Sequence, residues 1–234
     1  MSGVSDLYRE GRGRGSNPLA VQGGSPRLAN DANTAGLWLF TEGAGTTTYD
    51  TKTPTKYGTL TNASMWVTGG PRNRAIAFNG SNQQIALSAS WWQAPPWSIE
   101  IVGYFPGNAL NAYVIDANNQ PAVIHGFSSN DVELFAAVYT GDDPRVGSQI
   151  AIAAAGWYYI AYCYSDGSWR GYRNGAQIFS LAKTFTLAGS VPCVFGSAGA
   201  NTNYWGGQLA EVRISSVART AAEILTNAEL MGFA

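Results

Sequence analysis

The side chains with the most chemistry in them are a spaced pair of carboxylates, a single histidine and two aromatic-rich loops. Asp131 and Glu133, in "NDVELF", alternate as they would along a strand, and alternate positions share one face. Retaining hydrolysis of a glycosidic bond requires two carboxyl groups about 5–5.5 Å apart, so this pair is the candidate for catalysis. The next position on the same face is Phe135, and alternating polar residues are also what the solvated face of a strand looks like. His125 is the chain's single histidine. There is no Gly-x-Ser-x-Gly elbow for it to serve and no second histidine for a zinc site, which makes it a strand-end histidine. "EGRGRGSN" follows no strand-like run and lacks the Lys-Ser/Thr ending of a phosphate loop. These residues predict a protein that is not an enzyme, with a glycosidase using Asp131 and Glu133 as an alternative.

The aromatic loops carry a different chemistry. "SASWWQAPPWS" sets Trp91, Trp92 and Trp97 around a Pro-Pro turn, and "GANTNYWGG" sets Asn201, Asn203, Tyr204 and Trp205 in another loop. Sugars stack an apolar ring face on an aromatic while amides bond their hydroxyls. Trp91, Trp92, Asn201, Asn203 and Tyr204 are therefore the candidate glycan contacts. Trp97 starts an alternating apolar face and is expected in the core.

The elements that position these loops are short strands. The 234 residues are 45% hydrophobic and 12% aromatic, with 28 Gly and only 12% charged, a turn-rich globular profile. Alternating runs at 36–42, 74–80, 83–88, 97–105, 131–139, 148–155, 156–165, 168–175, 176–182, 191–197 and 208–215, separated by Gly, Asn, Asp and Pro, predict an all-β antiparallel sandwich. In "WSIEIVGYF" the residues Trp97, Ile99, Ile101 and Phe105 share one face, leaving Ser98, Glu100 and Tyr104 on the other. "GWYYIAYCYS" is apolar on both faces and is expected centrally. The Asp-Gly and Asn-Gly pairs of "YSDGSW" and "YRNGAQ" predict tight hairpins joining three strands over 157–182. Thr220 followed by Glu223 is a capping box that starts a C-terminal helix. Residues 1–33 differ: Gly, Ser, Asn, Pro and Arg dominate without hydrophobic period, and such a stretch reads as an extended arm. The expected division is an arm over 1–33 and a sandwich over 34–234. Cys163 and Cys193 lie in apolar runs and read as buried thiols, with a disulfide as the alternative. A formal net charge of −1 gives no general attraction to nucleic acid, and no run is long enough to span a bilayer.

Four segments in order resemble the laminin G-like, pentraxin-like type of concanavalin A-like sandwich. They are "GLWLFTEGAGTTTYD" with "YGTLTNASMWVTGG", "RAIAFNGSNQQIAL", "GWYYIAYCYSDGSWRGYRNGAQI" and "WGGQLAEVRISSVARTAAEI", covering roughly residues 35–231. The resemblance implies a concanavalin A-like jelly roll whose last strand runs into a short helix packed against its end. Arg213, Ala218 and Glu223 fall where the family has similar residues, and Trp205 where it has a structural aromatic. It also implies a calcium site: Asp50 matches the family's "YD", and Asp142 and Asp143 offer further carboxylates. This chain departs from the family's acidic pair before "VRI", having Ala210 and then Glu211, which removes one ligand. Asp50 as a turn-capping residue is the competing reading.

Sandwiches of this kind usually act outside cells, in adhesion or glycan binding, yet "MSGVSDLYREGRGRG" has no secretory leader. A bacteriophage structural protein reconciles the two, being made in the host cytoplasm and carried on the virion surface. Leu7, Tyr8, Arg9, Arg12, Arg14 and Leu19 of the arm would dock it onto other virion proteins, in multiple copies or as a homo-oligomer, leaving the sandwich to meet cell-surface glycans. A secreted bacterial carbohydrate-binding or adhesion module, working extracellularly, is the alternative.

Overall fold

The computed structural model describes residues 27–89, 95–107, 112–116, 150–152, 154–165, 167–182, 193–198 and 201–234, and the backbone of 124–127, 133–137 and 149. The described residues form sixteen strands: β1 (Thr34–Trp38), β2 (Thr47–Tyr49), β3 (Tyr57–Leu60), β4 (Trp66–Val67), β5 (Ala75–Ala77), β6 (Ile85–Leu87), β7 (Trp97–Phe105), β8 (Tyr113–Asp116), β9 (Ile124–Phe127), β10 (Glu133–Ala137), β11 (Gln149–Ala151), β12 (Gly156–Ser165), β13 (Ser168–Arg173), β14 (Ala176–Ala182), β15 (Val194–Phe195) and β16 (Gln208–Ser215). One α-helix, α1 (Ala221–Met231), follows. The first sheet runs β14-β13-β12-β7-β16-β5-β4, with β1 beside β16; the second runs β11-β10-β9-β8-β15-β6-β3-β2.

The two sheets close on an aromatic-rich core. Trp97, Ile99, Ile101 and Phe105 of β7 face it as their alternation predicts. Trp38 meets Phe195 edge-on across the sheets, with ring centres 5.3 Å apart, and Trp169 stacks on Tyr162 at 5.1 Å. The central place of β12, between β7 and β13, explains why both of its faces are apolar. The hairpin from β13 to β14 turns at Asn174 and Gly175, whose φ values of 50° and 83° suit the primed turn that matches strand twist.

The outward face of the first sheet is not solvated. The helix capped by Thr220, whose hydroxyl accepts from the Glu223 N–H at 3.2 Å, lays Ile224, Ala228 and Met231 on Val102 and Tyr159. It therefore packs across this face of the sheet and not against its end. Ser98 and Glu100, expected on a solvated face, are fully buried there. Glu100 is tolerated because Arg213, directly opposite it on β16, donates through Nε and Nη2, both at 2.7 Å. The Tyr159 hydroxyl and Asn227 also donate to it, at 2.5 and 3.0 Å. Such pairing is what a buried charge requires.

Glu211 reaches the same face through a bulge. Leu209 pairs with Gly103 and Glu211 with Val102, leaving Ala210 as an extra residue. In an unbulged strand, where residues i and i+2 share a face, Glu211 would share the core-facing side of Leu209. Instead its carboxylate meets Arg72 Nε at 2.6 Å and the Leu28 N–H at 2.8 Å. Burial pushes the Glu211 carboxyl above its ordinary range, against the pull of Arg72 and of the Leu28 N–H.

Residues 27–33, which composition groups with the arm, form a strap over this face. Leu28 is 3% exposed, the Ala29 carbonyl accepts from Arg213 at 2.9 Å, and Asp31 pairs with Arg219 at 2.7 Å. Leu7, Tyr8, Arg9, Arg12, Arg14 and Leu19 lie outside the described residues. Cys163 is buried in the cluster on the outward face and Cys193 in the core between the sheets, so the first sheet separates them.

Candidate binding site

Three connections cross from one sheet to the other at the same end of the sandwich: 61–65 between β3 and β4, 78–84 between β5 and β6, and 196–207 between β15 and β16. Hydrogen bonds join them into one rim. Thr61 N–H donates to the Gln84 carbonyl at 3.1 Å, and Gln84 N–H returns to the Thr61 hydroxyl at 3.0 Å. Gly80 N–H donates to the Trp205 carbonyl at 3.2 Å, and Phe78 N–H to the Gly207 carbonyl at 2.9 Å. The Ser197 hydroxyl donates to the Gln84 side chain at 2.6 Å.

Trp205 anchors the rim to the core. Its ring is buried between Phe78 and Phe105, at 5.6 and 5.5 Å, so it is structural, as the resemblance implied. Gly207 makes that position available: a Cβ there would stand 2.1 Å from the indole and 2.5 Å from the Tyr104 carbonyl, closer than any side chain tolerates. The loop above the indole is folded tightly, with Asn201 N–H donating to the Ala198 carbonyl at 2.9 Å and Ala198 pairing with Thr202. Asn201 and Asn203 take φ values of 55° and 51°, a region Asn enters more readily than other non-glycine residues. Both are exposed and Tyr204 is half-buried. Among the described residues, the side chains of Asn201 and Asn203 bond to no other protein group.

The rim has an unusual composition for a surface. Residues 61–65, 78–84 and 196–207 contain seven amide side chains and no charged one. Asn79 uses its oxygen within its own turn, accepting from the Ser81 and Asn82 N–H groups at 3.0 and 3.1 Å, while Asn62 accepts from Ser64 at 2.6 Å. The arrangement can present several donors and acceptors to a polyhydroxylated ligand. The three connections carry no charged side chain for a phosphate.

The remaining expected residues fall elsewhere. Trp91, Trp92, Asp131, Asp142 and Asp143 lie outside the described residues. Glu133 opens β10 opposite Ala151, and His125 is inside β9 opposite Ala136. Asp50 is fully buried, and one of its oxygens accepts from the N–H groups of Leu37 and Lys52, both at 2.9 Å. That is the geometry of a capping carboxylate. Among the described residues no three His, Cys, Asp or Glu side chains converge to hold a metal. Asn62, Asn79, Asn82, Gln83 and Gln84 were missed in the sequence. Their signal was there, in "TNAS" and "NGSNQQ", but amides in turns are usual, and only the fold brings these turns to the same end.

An antiparallel sandwich with these crossovers has the concanavalin A-like architecture. The chain belongs to the laminin G-type family described as the concanavalin A-like lectin/glucanases superfamily, whose model matches residues 79–225, more than half of its length. It is similar to domain 4 of AbnA, a GH43 extracellular arabinanase from Geobacillus stearothermophilus solved in complex with arabinotriose: 17% identity, TM-score 0.64, covering 85% of this chain and 100% of that one. It is also similar to the sialidase of Trypanosoma rangeli (14% identity, TM-score 0.62, covering 90% of this chain and 36% of that one). A third similar structure is the receptor binding domain of botulinum neurotoxin type G (14% identity, TM-score 0.61, covering 85% and 51%). The chain thus spans the whole of the arabinanase domain but only about half of the toxin domain and a third of the sialidase. No curated protein matches it in sequence.

Proposed function

We propose that this domain is a non-enzymatic, lectin-like module that binds neutral glycans through the crossover rim, with Asn201, Asn203 and Tyr204 among the contacts. The observation that carries the reading is the convergence of three connections rich in amides and hydroxyls and free of charge. Ligand-binding groups on a rigid scaffold are commonly found on such loops, and the similar arabinanase domain was solved with arabinotriose. The test is a glycan-array screen of the full chain, with calcium and again with chelator. It is run beside Asn201→Gly/Asn203→Gly, in which glycine keeps the positive φ and removes the amide, and beside Trp91→Ala/Trp92→Ala. Loss of binding in the asparagine variant supports the rim. Full binding in both variants sinks it, and chelator sensitivity assigns a role to calcium. Measurable glycoside hydrolysis abolished by Glu133→Gln would replace this reading with an enzymatic one.

The same reading extends to place. We put the domain on a virion surface in multiple copies, made in the host cytoplasm, with the Arg- and Gly-rich residues 1–26 docking to neighbouring virion proteins. What supports this is the composition of that stretch and the tethering of the strap that follows it. Deleting residues 1–26 should abolish incorporation into the parent particle; unchanged incorporation refutes the docking role, and export by a bacterial host favours an extracellular adhesion module.

A further inference from the structure

We propose a second contact surface for the ligand, an aromatic platform formed by Tyr49 and Tyr57 on the second sheet, which stacks on a ring of a neutral oligosaccharide; it rests on the glycan reading above. Tyr49 and Tyr57 are directly opposite in β2 and β3. The flanking bond from Asp50 N–H to the Lys56 carbonyl, 3.1 Å, makes them a non-hydrogen-bonded pair, the register in which facing Cα atoms stand only about 4.5 Å apart. They are 47% and 42% exposed, although large apolar rings are ordinarily covered when the fold can cover them. Their backbone is fixed. Tyr57 N–H donates to the Ser88 hydroxyl at 3.0 Å, and Ser88 N–H to the Tyr57 carbonyl at 2.8 Å.

The structure chooses among occupants. β2 is the edge of its sheet, and an open edge invites another strand. Here the outward N–H of Tyr49 is already taken by the Glu42 carboxylate at 2.8 Å, which also accepts from the Thr48 hydroxyl at 3.2 Å. That blunts strand addition by a second chain and leaves side-chain contact as the mode of recognition. The neighbours of the rings on the same face are Thr47, Thr59 and Ala86, in register across the three strands, and Ser88. All are small and uncharged, so the rings are not walled in. Two exposed aromatic rings beside hydroxyls match the alternating apolar and hydroxylated surfaces of a neutral sugar.

The platform also lines up with the rim. β3 runs from Tyr57 to Leu60 and enters the rim at Thr61, four residues and about 13 Å from Tyr57. One oligosaccharide lying along β3 can stack at one end and bond amides at the other.

The experiment is titration of the full chain with three neutral hexasaccharides, α-1,5-arabinohexaose, cellohexaose and N-acetylchitohexaose, by calorimetry and by NMR of ring-labelled tyrosine. Tyr49→Ala and Tyr57→Ala should each weaken binding about five- to tenfold, while Tyr49→Phe and Tyr57→Phe stay within about twofold. Melting temperature should hold in all four, and the two ring resonances should move on binding. Wild-type affinity in both alanine variants, with loss in Asn201→Gly/Asn203→Gly, overturns the platform and leaves the rim. Loss in the tyrosine variants alone keeps the platform and removes the rim. Failure of the wild type to bind any of the three overturns both.

Discussion

Deleting residues 1–26 and deleting residues 1–33 should have very different consequences for stability. The shorter deletion stops before Arg27 and should change unfolding free energy by no more than about 0.5 kcal/mol. The longer one removes Leu28, buried in the cluster beneath α1, and Leu-to-Ala changes at such sites cost about 2–5 kcal/mol. It also takes the Leu28 N–H from the buried Glu211 carboxylate, the Ala29 carbonyl from Arg213 and the Asp31 carboxylate from Arg219. Bonds to charged groups contribute about 1.5–3 kcal/mol each. The terms overlap and do not simply add, so roughly 4 kcal/mol is the expected size. That is a large part of the 5–15 kcal/mol typical of a domain and would lower Tm by about 8–16 °C in a chain of this size. Urea unfolding followed by tryptophan fluorescence reads it directly. If both deletions unfold at the same urea concentration, the strap is not part of the folded unit and the accounting above is wrong. If they differ as stated, any docking experiment must use the shorter deletion.

Glu100→Ala should cost about 3–5 kcal/mol by stranding the buried Arg213, and Glu100→Leu with Arg213→Met should recover more than half of it; urea midpoints decide. The carboxyls of Asp31 and Glu223 both sit below their ordinary values of 3.8 and 4.5. For Asp31 partial burial pulls upward but the Arg219 hydrogen bond and charge outweigh it; for Glu223 the Thr220 N–H is the main cause. The unfolded chain therefore binds more protons than the folded one in this range. Their stabilisation is complete above about pH 5 and is lost as pH falls through the folded values. Asp31→Asn should flatten the decline of stability between about pH 5 and pH 3. Burial pushes the Cys163 thiol up to about 12, so iodoacetamide at pH 8 should modify it only on unfolding; labelling of the native protein at the rate of a free thiol contradicts this.

The strands that sequence reading located are those whose burial alternates or is continuous over a long run, such as β7, β12 and β16. It passed over β2 and β3 as strands because "TTY" and "YGTL" are short and carry Thr and Tyr outward, leaving too few apolar positions to show a period of two. Glu100 and Arg213 were legible as residues but not as a pair, since they are far apart in sequence and only the register of β7 and β16 sets them opposite. The helix was readable to its first turn from Thr220 and Glu223, whereas the face it covers was not: the partners of Ile224, Ala228 and Met231 come from distant strands. For the site, the loop holding Asn201, Asn203 and Tyr204 could be chosen from its composition. The turns it joins could not, because nothing local to "NGSNQQ" indicates a hydrogen bond to Trp205.

The buried ion pairs bear on function through what they cover. A sheet has two faces, and in the first sheet one is the core and the other is closed by α1 and the strap, held by Glu100, Glu211 and their arginines. Replacing such pairs with apolar groups is often neutral for stability, so their value here is directional: they tie residues 27–33 and the helix to one side. A ligand approaching the sandwich therefore meets the second sheet and the crossover end, where the rim of Asn201 and Asn203 and the platform of Tyr49 and Tyr57 both lie. The described chain begins at Arg27, on the side of the strap. If residues 1–26 dock the domain and the second sheet binds glycan as proposed, a variant that blocks either should leave the other intact.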